Sequence, residues 1–434
     1  MTPLESLIGR TIGITASPLR QQDLQRFQGE RLCRLVEYCR RHSPFYRQKL
    51  TAAGIQAITG LDDLTALPLT NEEELRNHST AMLCVSQDAV ARIITIHSSG
   101  TTGSPKRLFF TQEDLERTMD FFCQGMKPLA APGQTVAILL PGSTPDCTGH
   151  LLAEALRRRA VASSIIGLVD DPEKAARRLS ALRPDVLVGF PVQVLAIART
   201  AAFRSIPLGS IRSVLLCSDY IPESLRTQLT GLLACEVFTH YGTVETGLGG
   251  GVDCSAHCGA HLREADLLFE IIDPQTAVPV ADGEWGEIVF TTLLRTGMPL
   301  IRYRTGDCGR LLQGPCPCGS HIRRLDRVLG RISQRRNLQN GRQLALHSLD
   351  EILFAVPGLL DFRAALTAEG RRDRLLISLV SLPGQESAVR SQAAGAMVKL
   401  QTELELEIVF TIDTTAQIHQ YKRILEERRE KNRP

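Results

Sequence analysis

One tryptophan in 434 residues, and aromatic side chains at 5% of the total, are the first scarcities. So few rings give no sign of an aromatic cage for a stacked ligand. Charge of one sign is scarce as well. Lys and Arg number 50 against 47 Asp and Glu, leaving a net charge of +3. That excess is too small to argue for nucleic acid or a membrane surface as a partner. Long apolar runs are missing, and no uninterrupted stretch would span a bilayer. The opening "MTPLESLIGRTIGITASPLRQQ" has no basic-then-apolar leader pattern, and the expectation is a cytoplasmic enzyme. Cysteine is the exception to scarcity, at 12 residues. Most are scattered singly in apolar or helical contexts and read as small buried hydrophobes rather than disulfide partners.

What is present is an α/β pattern. Before Arg92 the chain reads as mostly helical. "QGERLCRLVEYCRRHSPFYRQKLTAAG" has apolar positions at helical spacing, broken at Ser43-Pro44. From Arg92 strands and helices alternate. "RIITI", "QTVAILLP", "VASSIIG", "DVLVGF", "IRSVLLCS" and "CEVFTHYG" read as strands. "DCTGHLLAEALRRRA", "DPEKAARRLSALRP" and "PESLRTQLTGLLA" read as helices. Such alternation predicts a parallel α/β sheet. After Gly250, "LLFEIIDP", "GEIVFTTL" and "PLIRYRTGD" are short strands without intervening helices, a β-rich subdomain. Beyond "RVLGR" the pattern is that of a small α+β domain. The expected division is therefore a large domain over 1–330 and a small one over 331–434. The tail "YKRILEERREKNRP" reads as a charged, solvated helix.

"HSSGTTGSPKRLFF", His97 to Phe110, is the densest chemical signal. It is not a Walker loop, because Gly100, Gly103 and Lys106 have the wrong spacing and Arg107 stands where a magnesium-binding hydroxyl is needed. "RLFFT" after it is β-like, and the next helix starts behind Thr111 as N-cap, with Asp114 at the third helical position. The loop therefore joins two strands. Its glycines, hydroxyls and lysine suit a triphosphate. From composition alone it is equally an ordinary Gly/Ser surface loop.

The order of residues goes further. "SSGTTGSPK" resembles the phosphate loop of the acyl-adenylate-forming (AMP-binding) superfamily. "YGTVE", Tyr241 to Glu245, resembles its second nucleotide motif, and "YRTGD", Tyr303 to Asp307, its ribose motif. Gly330-Arg331 falls where the family hinge begins. "LVEYCRRHSPFYRQKLTAAG" and "LDDLTALPLTNEEELR" before the loop look like the phenylacetate–CoA ligase branch. The resemblance implies an ATP- and Mg²⁺-dependent acid–CoA ligase. It would form an acyl-adenylate and pyrophosphate, then pass the acyl group to CoA as co-substrate, with a mobile C-terminal domain.

It also implies roles. Ser98, Ser99, Gly100, Thr101, Thr102, Gly103 and Lys106 would hold the β- and γ-phosphates. Tyr241, with Gly242 and Thr243, would face the adenine and Glu245 would bind Mg²⁺. Asp307 would accept the ribose hydroxyls, and Arg331 would reach the ribose or α-phosphate. "CSDYIPESL" lies where the family has an adenine-side loop, making Ser218 and Asp219 candidates. A small carboxylic acid is the expected partner, and a homodimer is allowed.

"DCSAHCGAHLRE" and "GPCPCGSH" place Cys and His in two knots, which suggests one tetrahedral Zn²⁺ built by two loops. Two loops of free cysteines are the plain alternative. The resemblance selects Cys254, His261, Cys316 and Cys318, with Cys258 in reserve. Four protein ligands would make the ion structural.

Three positions depart from the family pattern. Val244 replaces a hydroxyl residue, Ser333 a hinge aspartate, and Gln420 the lysine of a C-terminal "GKxxR" loop. Lys422 stands two residues on as a candidate replacement. Two other readings stay open: a catalytically weakened nucleotide-binding relative with a regulatory or partner role, and an adenylating enzyme with an acceptor other than CoA.

Overall fold

The computed structural model describes the chain except residues 1, 15–18, 97–104, 145–146, 371, 415–416, 420–421 and 430–434. The fold is α/β. It divides into two compact units, each assembled from separate stretches of chain. The first holds residues 1–131, 146–160 and 239–328, and the second 132–145, 161–238 and 329–434.

In the first unit the N-terminal helices form as their spacing predicts. The helix Gln21–His42 ends at Ser43, which then caps the helix Pro44–Ala52 by accepting from the Tyr46 N–H. A proline at the first helical position loses no hydrogen bond, so Ser43-Pro44 both stops and starts a helix. The strands Arg92–Ile96 and Lys106–Phe110 pair antiparallel, so the glycine-rich loop does join two strands. Thr111 and Asp114 then form a capping box on the helix Gln112–Gly125. The expected β-rich part is a three-stranded antiparallel sheet of Leu267–Ile272, Gly286–Thr292 and Tyr303–Gly309. A further antiparallel set pairs His240 and Tyr241 with Gly251–Val252, then Ala260–Leu262, then Arg324–Leu325.

In the second unit the strands Ala162–Ile165, Thr135–Leu139, Val186–Gly189 and Ser213–Leu216 lie side by side, all parallel. The last two are buried at every residue, as a sheet covered on both faces requires. The helix Pro191–Phe203 was absent from the sequence pattern. It is buried over Pro191–Ala201, so no polar face gives it a period.

The C-terminal part is a four-stranded sheet with helices Leu346–Leu353 and Glu386–Leu404. Its long strands Leu359–Glu369 and Arg372–Ser381 form an antiparallel centre. The tail corrects an expectation: Leu425–Glu427 is not helix but a short strand, parallel to the strand Leu359–Glu369 at Ala364–Leu366. Leu425 is fully buried there, and tertiary burial overrides the charged local pattern. Among the described residues, no helix is long and apolar enough to cross a membrane.

Candidate functional site

In the first unit the strand Lys106–Phe110 starts with Lys106 turned inward at 3% exposure. An ammonium so buried needs an anion. It bonds the carboxylate of Glu245, itself 4% exposed, and lies 3.5 Å from Glu72. Tyr303 donates its hydroxyl to Glu245 Oε1 at 3.2 Å. Glu245 sits in a tight turn after the strand end at Tyr241. There the Thr243 N–H donates to Thr246 Oγ1 (3.0 Å), the Thr246 N–H to Thr243 Oγ1 (3.3 Å), and the Gly247 N–H to the Val244 carbonyl (3.0 Å). Val244 therefore contributes to the turn through its backbone, and its side chain adds no hydroxyl.

Tyr241 donates to Asp307 Oδ2 at 3.3 Å. Burial, with Asp307 beside it, raises the Tyr241 phenol well above its ordinary value, so it stays a donor. The Asp307 N–H is held by Thr305 Oγ1 at 3.0 Å. Gly242 is confined: an added Cβ would come within 2.6 Å of His240 Cε1 and 2.8 Å of the Leu248 carbonyl oxygen. Lys106, Glu245 and Tyr303 thus form one buried cluster, and Tyr241 with Asp307 a second, drawn together from three sequence motifs. Ser98, Ser99, Gly100, Thr101, Thr102 and Gly103 lie outside the described residues.

The two Cys/His knots of this unit meet. The pairing of His261 with Arg324, and of Ala260 with Leu325, joins one loop to the other. Arg324 donates to the carbonyls of Cys258 (2.7 Å), Gly314 (3.0 Å) and Pro315 (3.2 Å), which orders both. The ligand atoms of Cys254, His261, Cys316 and Cys318 all lie within 4.8 Å of one another. Cys254 Sγ is 3.7 Å from Cys316 Sγ, and Cys318 Sγ 3.4 Å from His261 Nε2. Three soft sulfurs and an imidazole at these separations suit a tetrahedral Zn²⁺. Cys258 contributes its carbonyl instead, and His257 is engaged by Asp253 at 2.9 Å.

The second unit holds Ser218, Asp219, Arg331 and Lys422. Ser218 takes a left-handed φ of 75°, which turns the chain sharply after the strand Ser213–Leu216. Asp219, Arg331 and Lys422 line one cleft, with Gly330, His347 and Arg423. Arg423, 2% exposed, bonds Asp350 at 2.7 Å and lies 3.6 Å from Asp219. Its guanidinium stacks over Phe354 at 4.8 Å and Phe362 at 5.3 Å. Ser333 falls in a short 3₁₀ turn, Ile332–Gln334, and its carbonyl accepts from Arg336 at 2.8 Å. Gln420 is outside the described residues.

Sequence reasoning missed the Tyr303 and Glu72 contacts, the Arg423–Asp350 pair and the buried Arg295. None carries a local signal, because each partner comes from a distant part of the chain.

With this geometry in hand, three comparisons are informative. Residues 26–293 match the family model described as AMP-binding enzyme. The chain is 31% identical over 372 residues to the phenylacetate-coenzyme A ligase of Thermus thermophilus, covering 82% of this chain and 81% of that one. It is 27% identical over 411 residues to the ligase of the same name from Aromatoleum evansii, covering 92% and 90%. Among solved structures, 2-hydroxyisobutyryl-CoA ligase in its postadenylation state superposes with a TM-score of 0.80 at 18% identity, covering 95% of this chain and 91% of that one.

Proposed function

We infer that this chain, which belongs to the AMP-binding enzyme family and to its phenylacetate–CoA ligase branch, is an ATP-dependent acid–CoA ligase. A carboxylate oxygen attacks the α-phosphorus of ATP, the bond to pyrophosphate breaks, and an acyl-adenylate results. A thiolate then attacks the acyl carbon and AMP leaves. The observation that carries this reading is the burial of residues from three motifs against one another, Lys106 with Glu245 and Tyr303, and Tyr241 with Asp307.

In this reading Ser98, Ser99, Gly100, Thr101, Thr102 and Gly103 wrap the β- and γ-phosphates, and Lys106 supplies charge to them. Tyr241, Gly242 and Thr243 face the adenine, and Asp307 accepts from the ribose. Glu245 offers a hard carboxylate oxygen that suits Mg²⁺. Ser218, Asp219 and Arg331 complete the nucleotide contacts, and Lys422 takes the part of the lysine missing at position 420. The segment 331–434 turns between the two half-reactions. The Cys254, His261, Cys316 and Cys318 cluster holds a structural Zn²⁺ that ties two loops together.

The test is a panel of carboxylic acids with MgATP, scored for pyrophosphate release and, with and without CoA, for acyl-adenylate and thioester. Acid-dependent pyrophosphate release with CoA-dependent thioester supports the reading. Nucleotide binding without pyrophosphate release from any acid would replace it with the weakened nucleotide-binding relative. Pyrophosphate release with no thioester would point to another acceptor.

A further inference from the structure

In the second unit the stretches 161–238 and 329–434 exchange caps at their helix ends. The helix Glu223–Leu233 starts behind Pro222, which has no side-chain acceptor to offer its first N–H groups. Glu351, from the helix Leu346–Leu353, supplies one from the other stretch. Its Oε1 accepts from the Glu223 N–H at 3.1 Å, and its Oε2 from the Ser224 N–H at 3.2 Å. Tyr220 also donates its hydroxyl to Oε1, at 2.6 Å. A carboxylate is favoured at the positive end of a helix.

The reverse arrangement closes the other helix. Leu346–Leu353 ends at Phe354, whose carbonyl accepts from Arg199 Nη2 at 2.6 Å. Arg199 Nη1 donates to the Leu359 carbonyl. Arg199 belongs to the helix Pro191–Phe203 and is 4% exposed. Among the described residues no carboxylate pairs with it, so two carbonyls of the stretch 329–434 answer its charge. Two further contacts cross between the stretches: Gln193 Nε2 donates to the His419 carbonyl at 3.2 Å, and Arg423 lies 3.6 Å from Asp219. Apolar side chains of both stretches share one core, but that attraction has no direction. The polar caps set the angle.

What the angle decides is a cleft. Asp219 and Tyr220 of one stretch line it with Arg331, His347, Asp350 and Lys422 of the other. Neither Glu351 nor Arg199 lines it. Glu351 is bonded to Tyr220 and follows Asp350 in sequence, and both of those are walls of the cleft. We propose that Glu351 and Arg199 are positioning residues for acyl-adenylate formation, holding 329–434 in the orientation that gathers Asp219, Arg331 and Lys422 into one cleft. The proposal rests on the ligase reading. In that reading the segment turns for the thiol step. Each cap sets a charged group against neutral partners, so water replaces it as the segment leaves.

The test measures the two half-reactions separately on the full-length protein, with an acid on which the wild type releases pyrophosphate. Glu351→Leu and Arg199→Met should each slow acid-dependent pyrophosphate release by about tenfold. Thioester formation from supplied acyl-adenylate and CoA should stay near the wild-type rate. Glu351→Gln, which keeps one acceptor oxygen, and Arg199→Lys, which keeps a charged donor, should fall between the wild type and the truncations. Equal slowing of both half-reactions, or of neither, would overturn the proposal while leaving the ligase reading intact. A wild type that releases no pyrophosphate with any acid would remove that reading and the proposal with it. Hydrogen exchange on the wild type needs no variant. The Glu223 and Ser224 amides should be protected in the free protein and lose protection when an acylsulfamoyl adenosine and CoA are bound together. Fast exchange throughout, or protection unchanged by these ligands, would also overturn the proposal.

Discussion

Lys106 and Glu245 stand 139 positions apart and meet with both side chains almost wholly out of water. Lys106→Met would leave a carboxylate buried with a phenol but no cation, and unfolding in urea should show a loss of about 3–5 kcal/mol. Adding Glu245→Met should recover much of that loss, because the second change removes the orphaned charge. Equal and additive losses would mean the pair is not coupled. His240, next to Tyr241, gives a prediction in pH. Both ring nitrogens are buried without partners, and burial pushes the imidazole down to about 4 from an ordinary 6.5. The unfolded chain therefore binds the proton first as pH falls, so the neutral ring's contribution is intact above 6.5 and is lost on the way down to about 4. His240→Leu should flatten the acid limb of the melting-temperature profile in that window, and an unchanged limb would reject the assignment. Lys106, Tyr241 and Asp307 could be singled out because the order of their motifs resembles that of a known family. The bond of Tyr303 to Glu245, 58 positions back, and the burial of Arg295 could not be read, because neither residue announces its distant surroundings.

Elements with polar punctuation could be read from the chain, and elements without it could not. Ser43-Pro44 and Thr111 with Asp114 mark helix ends by satisfying N–H groups locally, and the structure places caps at both. The helix Pro191–Phe203 shows one apolar run and no period, and the strand Leu425–Glu427 is set by burial of one leucine against a neighbour far back in the chain. The paired loops of the Cys/His cluster carry the element-scale prediction. Metal analysis of undenatured protein should find near-stoichiometric zinc, and a strong chelator should lower the melting temperature. Cys316→Ala should abolish both the metal and the chelator's effect. Cys123→Ala, in the helix Gln112–Gly125, should leave both intact. Protein free of zinc, or a chelator without effect on metal-loaded protein, would reduce the cluster to free thiols.

For the whole molecule, the sequence suggested a large domain over 1–330 and a small one over 331–434; the two compact units are each assembled from three separate stretches of chain. The stretch 329–434 shares its unit with 161–238, through contacts such as Arg199 Nη2 donating to the Phe354 carbonyl at 2.6 Å. No local pattern could foretell that, since Arg199 belongs to the helix that showed no period. Lys422 belongs to this late stretch and lines the cleft that also bears Asp219 and Arg331. If it serves in place of the lysine missing at 420, it acts on charge developing at the α-phosphate and not on the later thiol step. Lys422→Ala should then slow acid-dependent pyrophosphate release by about 10²–10³. Thioester formation from supplied acyl-adenylate and CoA should continue near the wild-type rate, because that half-reaction develops no charge at the α-phosphate of an incoming ATP. Quench measurements of the two half-reactions, made separately on the same preparation, decide it. Equal slowing of both would mark Lys422 as structural. Slowing of neither would mean that adenylation here proceeds without a lysine from this segment.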